Sequence, residues 1–214
     1  MGRPSKIDRG FIRGLVTRFV ELLEAVEDGT VFEEEDTIHW FATEIVTVTG
    51  IRKPIEIYAL ARTGESTHTL IEGDGYFGID DDVPDEAPSV VVYVNHKVQP
   101  NVFAVTEADK ETIYEVLVHE LTHAAEYNQD VLYFPKDDSN DVEYYNSKSE
   151  VKAYTRNIIE ELRNVPFNKC GYLNLKWFMA HSPVWDNIQD YLTEKTTREI
   201  ERSVWSYFAL NQRD

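Results

Sequence analysis

Apolar residues recur at spacings of three and four from Ile7 to Val26, through Ile7, Phe11, Leu15, Phe19, Leu22 and Val26, with Ile12, Val16 and Leu23 beside them. That is the period of an amphipathic helix. Gly29 and the acidic run Glu33 to Asp36 interrupt it, and Asp36 is placed to cap a second helix through about Thr49, stopped by Gly50. From Pro54 the period falls to two: Ile55, Ile57 and Ala59 alternate with Glu56, Tyr58 and Leu60, and a second run from Thr67 to Ile71 follows Gly64. This predicts a two-stranded hairpin. Ser89 to Asn95 is the clearest strand, and Thr106 with Asp109 resembles a capping box that opens a long helix ending about Tyr127. After a loop with Pro135 and the run Asp137 to Asp141, a further helix is expected from Ser147 to about Asn164, closed by Pro166. An aromatic patch (Tyr172, Trp177, Phe178) and a last helix from about Pro183 to Phe208 complete the chain.

The expected architecture is α+β in a single domain over 1–214. It has a helical part at 1–50, a small twisted mixed sheet at 54–95, two helices at 106–164 and a C-terminal helical cap at 165–214.

Composition narrows the function classes. At 214 residues, with 42% hydrophobic and 28% charged residues, the chain can bury a large core and is globular in character. Twenty-one Lys and Arg against 39 Asp and Glu leave a net charge of −18, which disfavours binding to nucleic acid and anionic lipid. The basic start of the chain (Arg3, Lys6, Arg9, Arg13, Arg18) is a local exception, read as a solvated arm, with a nucleic-acid role as the rival reading. No apolar run suits a membrane span or a secretory signal. The lone Cys170 permits no intramolecular disulfide, so a cytoplasmic, reducing home is expected. Residues 72–88 form a Gly- and Asp-rich stretch that lacks the ligand order of an EF-hand and reads as a solvated loop.

Chemistry enters at His119-Glu120-Leu121-Thr122-His123, inside the helix expected at 106–127. Imidazoles four residues apart project from one helix face on successive turns and can share one metal ion. Zinc suits imidazole and carboxylate donors without sulfur. On a helical wheel Ile113, Val116, Leu117, Leu121, Ala124 and Tyr127 define an apolar arc that includes Glu120, with the histidines just past one edge. A carboxylate on such an arc needs a partner. The competing view is two ordinary surface histidines beside an unrelated glutamate.

A catalytic zinc takes three protein ligands and keeps one position for water. Glu150 is the candidate third donor, an acid standing where the apolar stripe of the next helix should begin, with Tyr154 and Ile158 on the same face. The rival reading makes Ser147 and Glu150 a capping box. Glu126 is a candidate hydrogen-bond partner of a ligand, Asp130 and Glu143 are weaker donors, and His96 and His181 are the remaining ligand candidates. His39 and His68 read as ordinary core or surface residues.

With His119, Glu120, His123, Glu150 and the strand at 89–95, the chain resembles the zincin metallopeptidases, and within them the gluzincins, over roughly residues 89–164. The wording Leu121 to Glu126 is also similar to small zincin-like proteins of phages and bacteria, which fits a phage-encoded chain. Tyr154 stands where thermolysin-like enzymes carry an Asp, and 26 residues separate His123 from Glu150, a longer gap than in those enzymes. The metzincin pattern fits worse, since its Gly and third His would fall at Glu126 and Gln129.

The resemblance implies a substrate-binding edge on the strand before the active helix. It likewise implies a zinc-dependent peptidase acting on peptide or protein substrates. Zinc lowers the pKa of water from about 15.7 towards 7, and Glu120 takes its proton as general base. A further donor steadies the oxyanion, with His181 first and then Tyr154, Tyr145 and Arg156 as candidates. A zincin-like binding or structural module without catalysis is the alternative from another class.

Overall fold

The computed structural model describes residues 9–27, 30–33, 37–43, 55–64, 70–71, 73, 75–78, 88–95, 104–127, 140–167 and 172–211. They form seven α-helices and one mixed four-stranded sheet, an α+β arrangement. The chain divides into two compact units, residues 1–131 and 132–214.

In the first unit, helix α1 (Arg9–Glu24) buries Ile12, Leu15, Val16, Phe19, Val20 and Leu23. These repeat at i, i+3, i+4, i+7, i+8 and i+11, so the helix rests on the flank of the expected stripe, and Phe11, Leu22 and Val26 are only half-buried. The second helix expected from Asp36 is not formed by Thr37–Thr43, which is strand β1. Its composition (Thr-Ile-His-Trp-Phe-Ala-Thr) is rich in β-branched and aromatic side chains, and pairing to a neighbouring strand outweighs the N-terminal signal of Asp36.

Strand β2 (Ile55–Arg62) alternates as expected, burying Ile55, Ile57, Ala59 and Ala61. Its partners differ from the expected hairpin. β2 pairs antiparallel with β1, with a register shift between Thr37 and His39, and parallel with β4 (Ser89–Asn95). Of the run 67–71, residues 67–69 lie outside the described residues. Leu70 and Ile71 are buried in an irregular segment whose Leu70 carbonyl accepts the Asn95 N–H at 2.8 Å. Strand β3 (Gly75–Gly78) pairs antiparallel with β4, giving the order β1-β2-β4-β3. β4 is therefore an inner strand, with Val90, Val91, Val92 and Val94 all buried. Strands covered on both faces read as continuous apolar runs.

Helix α2 (Glu107–Tyr127) packs on β3, β4 and α1. Its start is a complete capping box: Thr106 N–H donates to Asp109 Oδ2 at 2.8 Å, and Asp109 N–H donates to Thr106 Oγ1 at 3.2 Å. Asp performs the role usually held by Glu or Gln. No helix among the described residues is long and apolar enough to cross a membrane.

The second unit is helical: α3 (Asp141–Tyr145), α4 (Lys148–Leu162), α5 (Tyr172–Met179), α6 (Pro183–Ile188) and α7 (Glu194–Asn211). Its core joins Val151, Ile158, Ile159 and Leu162 of α4 to Leu175, Phe178 and Met179 of α5, Trp185 and Ile188 of α6, and Ile200, Val204 and Phe208 of α7. The single helix expected from Pro183 to Phe208 is interrupted after Ile188 by a 3-10 turn (Gln189–Tyr191) and an extended Leu192. Thr193 restarts the chain as a cap, its hydroxyl accepting from Thr196 N–H at 3.3 Å. Apolar spacing runs on to Leu192 and then stops, since residues 193–199 carry no apolar side chain, so the break coincides with a polar stretch of the sequence.

Candidate metal centre

The capping box fixes where α2 begins, and with it which residues of the next four turns face the sheet. From Val116 to Glu126 every side chain except Thr122 is buried. This includes His119, Glu120, His123 and Glu126, at 9%, 7%, 4% and 6% exposure. The histidines are thus enclosed rather than set at the edge of an apolar arc, and the reading as surface residues falls. Their rings lie one turn apart, with centroids 4.9 Å from each other and planes at 73°.

Glu150 occupies the first turn of α4 and is 4% exposed. Ser147 caps that helix, its Oγ accepting the Glu150 N–H at 3.4 Å. The reciprocal half of a capping box would require the Ser147 N–H to reach the Glu150 carboxylate. That N–H donates instead to the Tyr144 carbonyl at 3.0 Å, so the cap does not explain why a carboxylate is buried at this position.

His119, His123 and Glu150 each offer a ligand atom, and these atoms lie within 4.8 Å of one another. Among the described residues this is the group that could hold a metal ion. The donors suit zinc in kind, two imidazole nitrogens and one carboxylate oxygen. Tetrahedral bonds of about 2.0 to 2.1 Å would set ligand atoms about 3.3 Å apart.

The other sequence candidates are distributed as follows. Glu126 is buried on α2, and Glu143 is exposed on α3 with its N–H donated to Asn140 Oδ1; neither joins the donor group. His68, His96, Asp130 and Cys170, the side chain of His39 and most of the acidic stretch 72–88 lie outside the described residues.

His181 is exposed, edge-on to Trp177 with ring centroids 4.3 Å apart. Its Nδ1 is 2.8 Å from the Trp177 carbonyl. A carbonyl only accepts, so Nδ1 carries the hydrogen, and Nε2 can donate only when the ring is protonated. Tyr154 lies one turn beyond Glu150 on α4, its ring 5.5 Å from that of Tyr145, which stacks on Tyr191. Burial, and then the nearby Tyr144 and Glu150, push the Tyr154 hydroxyl pKa far up, so it is a neutral O–H donor. Burial also raises that of Tyr145. Arg156 is held by Glu160 at 3.3 Å, a carboxylate that also accepts from Arg163 at 2.8 Å.

Two features escape a reading of periodicity and motifs. The strand before α2 is not an edge as the resemblance implied; that place belongs to the short β3, whose four residues begin and end in glycine. Gly75 of β3 also lies against the side-chain stem of Glu120. A glycine at the end of a four-residue strand carries no sequence signal that separates close packing from an ordinary turn. No family model, no curated protein and no solved structure matches this chain.

Proposed function

We propose that this chain is a zincin-like, zinc-dependent metallopeptidase that hydrolyses peptide bonds, with His119, His123 and Glu150 as ligands and Glu120 as general base. The observation that carries the reading is the convergence of three buried donors of the right chemistry within 4.8 Å, two of them flanking a buried glutamate on one helix. When bound, zinc supplies Lewis acidity, activating water and polarising the scissile carbonyl.

The rest is work for side chains. Glu120 follows His119 directly and takes the proton of the attacking water, then returns it to the leaving amine. A burial that leaves it little bulk water keeps that proton transfer local. Tyr154, protonated by its surroundings, is the better suited donor to the developing oxyanion. His181 fills that role only as an imidazolium, because its Nδ1 hydrogen is already committed to Trp177. β3, the outer strand beside α2, offers main-chain groups with which an extended peptide can pair. A chain of charge −18 favours neutral or basic peptides over acidic ones.

The test is metal analysis of purified protein together with hydrolysis of a pool of neutral and basic internally quenched peptides. Wild type should hold one zinc and cleave; His119→Ala should lose both properties. Glu120→Gln should keep the zinc and lose turnover by about 100- to 10,000-fold. Unaltered turnover in Glu120→Gln would refute the catalytic assignment and leave a zinc-bearing structural or binding module.

A further inference from the structure

We propose that Gly75 is a positioning residue for Glu120, its bare Cα being the surface on which the side-chain stem of the general base lies; this rests on the reading of Glu120 given above. A Cβ added at Gly75 would sit 2.4 Å from Val116 Cγ1, 3.0 Å from the Val91 carbonyl oxygen and 3.1 Å from Glu120 Cγ. Only Gly73 among the described glycines has positive φ, so alanine at 75 meets close neighbours and no left-handed backbone strain.

None of the three neighbours yields freely. Val116 is β-branched on a helix, where one χ1 rotamer dominates. Val91 belongs to β4, held in register by β3 and β2. Glu120 Cγ remains, and Cγ sets the direction of the carboxylate beyond it. A shift of a few tenths of an ångström there swings the carboxylate oxygens further, because they lie at the end of the lever.

The same strand contains its own control. A Cβ at Gly78 would meet the Tyr76 ring at 2.2 Å, yet Tyr76 is 53% exposed and can swing outward. A Cβ at Gly75 would press on α2, whereas the three atoms nearest a Cβ at Gly78 all belong to Tyr76 of its own strand. Alanine at 78 therefore disturbs β3 without pressing on Glu120.

The experiment compares Gly75→Ala, Gly75→Ala/Val116→Ala, Val116→Ala and Gly78→Ala in the full chain. Val116→Ala removes the closest clash, so the double variant folds even if Gly75→Ala does not. Three quantities are read: zinc stoichiometry, peptide turnover, and the Glu120 side-chain carboxyl 13C resonance, assigned by its loss in Glu120→Gln. Both Gly75 variants should bind one zinc, shift the resonance and lose turnover by about 100-fold, the order expected for a misplaced catalytic group. Val116→Ala and Gly78→Ala should stay near wild type in both. Recovery of resonance and turnover in the double variant would reduce Gly75 to a packing position and overturn the proposal, as would equal losses in Gly78→Ala. If wild type cleaves nothing, the peptidase reading fails, and the resonance alone decides whether Gly75 sets Glu120.

Discussion

Replacing Glu150 by Gln separates a metal ligand from a helix cap, because it keeps the shape of the side chain and removes its charge. The cap at the start of α4 belongs to Ser147, whose hydroxyl takes the Glu150 N–H while its own N–H goes to Tyr144. Ser147→Ala should therefore cost about 1 kcal/mol with or without zinc. Glu150→Gln acts on a different quantity, the stabilisation that zinc confers by binding only the folded chain. At free zinc 1,000-fold above Kd that gain is about 4.1 kcal/mol in wild type. If losing the anionic donor weakens binding about 100-fold, the upper end of what outer partners of a ligand cost, the ratio falls to about 10 and the gain to about 1.4 kcal/mol. Urea unfolding followed by the four tryptophans, in zinc and in chelator, measures both numbers. A full gain of about 4 kcal/mol in Glu150→Gln would remove it from the ligand set. Loss of the zinc gain in Ser147→Ala would mean the hydroxyl, and not the carboxylate, holds the site.

Other expectations are independent of that one. Phe178 is 1% exposed, with the rings of Phe167 and Phe208 at 5.0 and 4.8 Å; Phe178→Ala should cost about 3 to 5 kcal/mol by thermal or urea unfolding, and a loss under 1 kcal/mol would contradict the packing of α5 on α7. Glu161 accepts from Ser182 Oγ and Val184 N–H, and burial raises its pKa above the ordinary 4.5. A raised folded pKa contributes stability that is full below about 4.5 and fades as pH rises through the folded value. The difference in Tm between wild type and Glu161→Gln should therefore move in favour of wild type on going from pH 7 to pH 4, and the opposite drift would refute the assignment. Tyr154→Phe should lower kcat with zinc content unchanged, whereas a rise in KM alone would make Tyr154 a substrate contact instead of an oxyanion donor.

The helices at the candidate site were legible because their signals are local. Thr106 and Asp109 mark the start of α2, four-residue spacing brings His119 and His123 onto successive turns, and Ser147 marks the start of α4. The strands were less so. Thr37 to Thr43 follows an acidic residue that mimics a helix cap, and only pairing with β2 settles it as strand. The parallel partnership of β2 with β4 joins segments more than thirty residues apart, and no pattern within either segment encodes it. Burial of the histidines is hidden for a related reason: the wheel of α2 shows one apolar arc, while the helix packs on more than one element, α1, β3 and β4 among them.

Asn146, in the turn between α3 and α4, uses both ends of its carboxamide on the stretch that leads into α7. Nδ2 donates to the Tyr191 carbonyl at 2.8 Å, and Oδ1 accepts the Thr193 N–H at 2.8 Å. Only a group that gives and receives at once can close such a clasp; an aspartate would set an oxygen against the Tyr191 carbonyl. The residue sits immediately before Ser147, so the last helix of the chain reaches, through one amide, the turn from which Glu150 projects. The C-terminal segment is in this respect less a lid on the second unit than a guy-rope, and slackening it should be felt first at the root of α4.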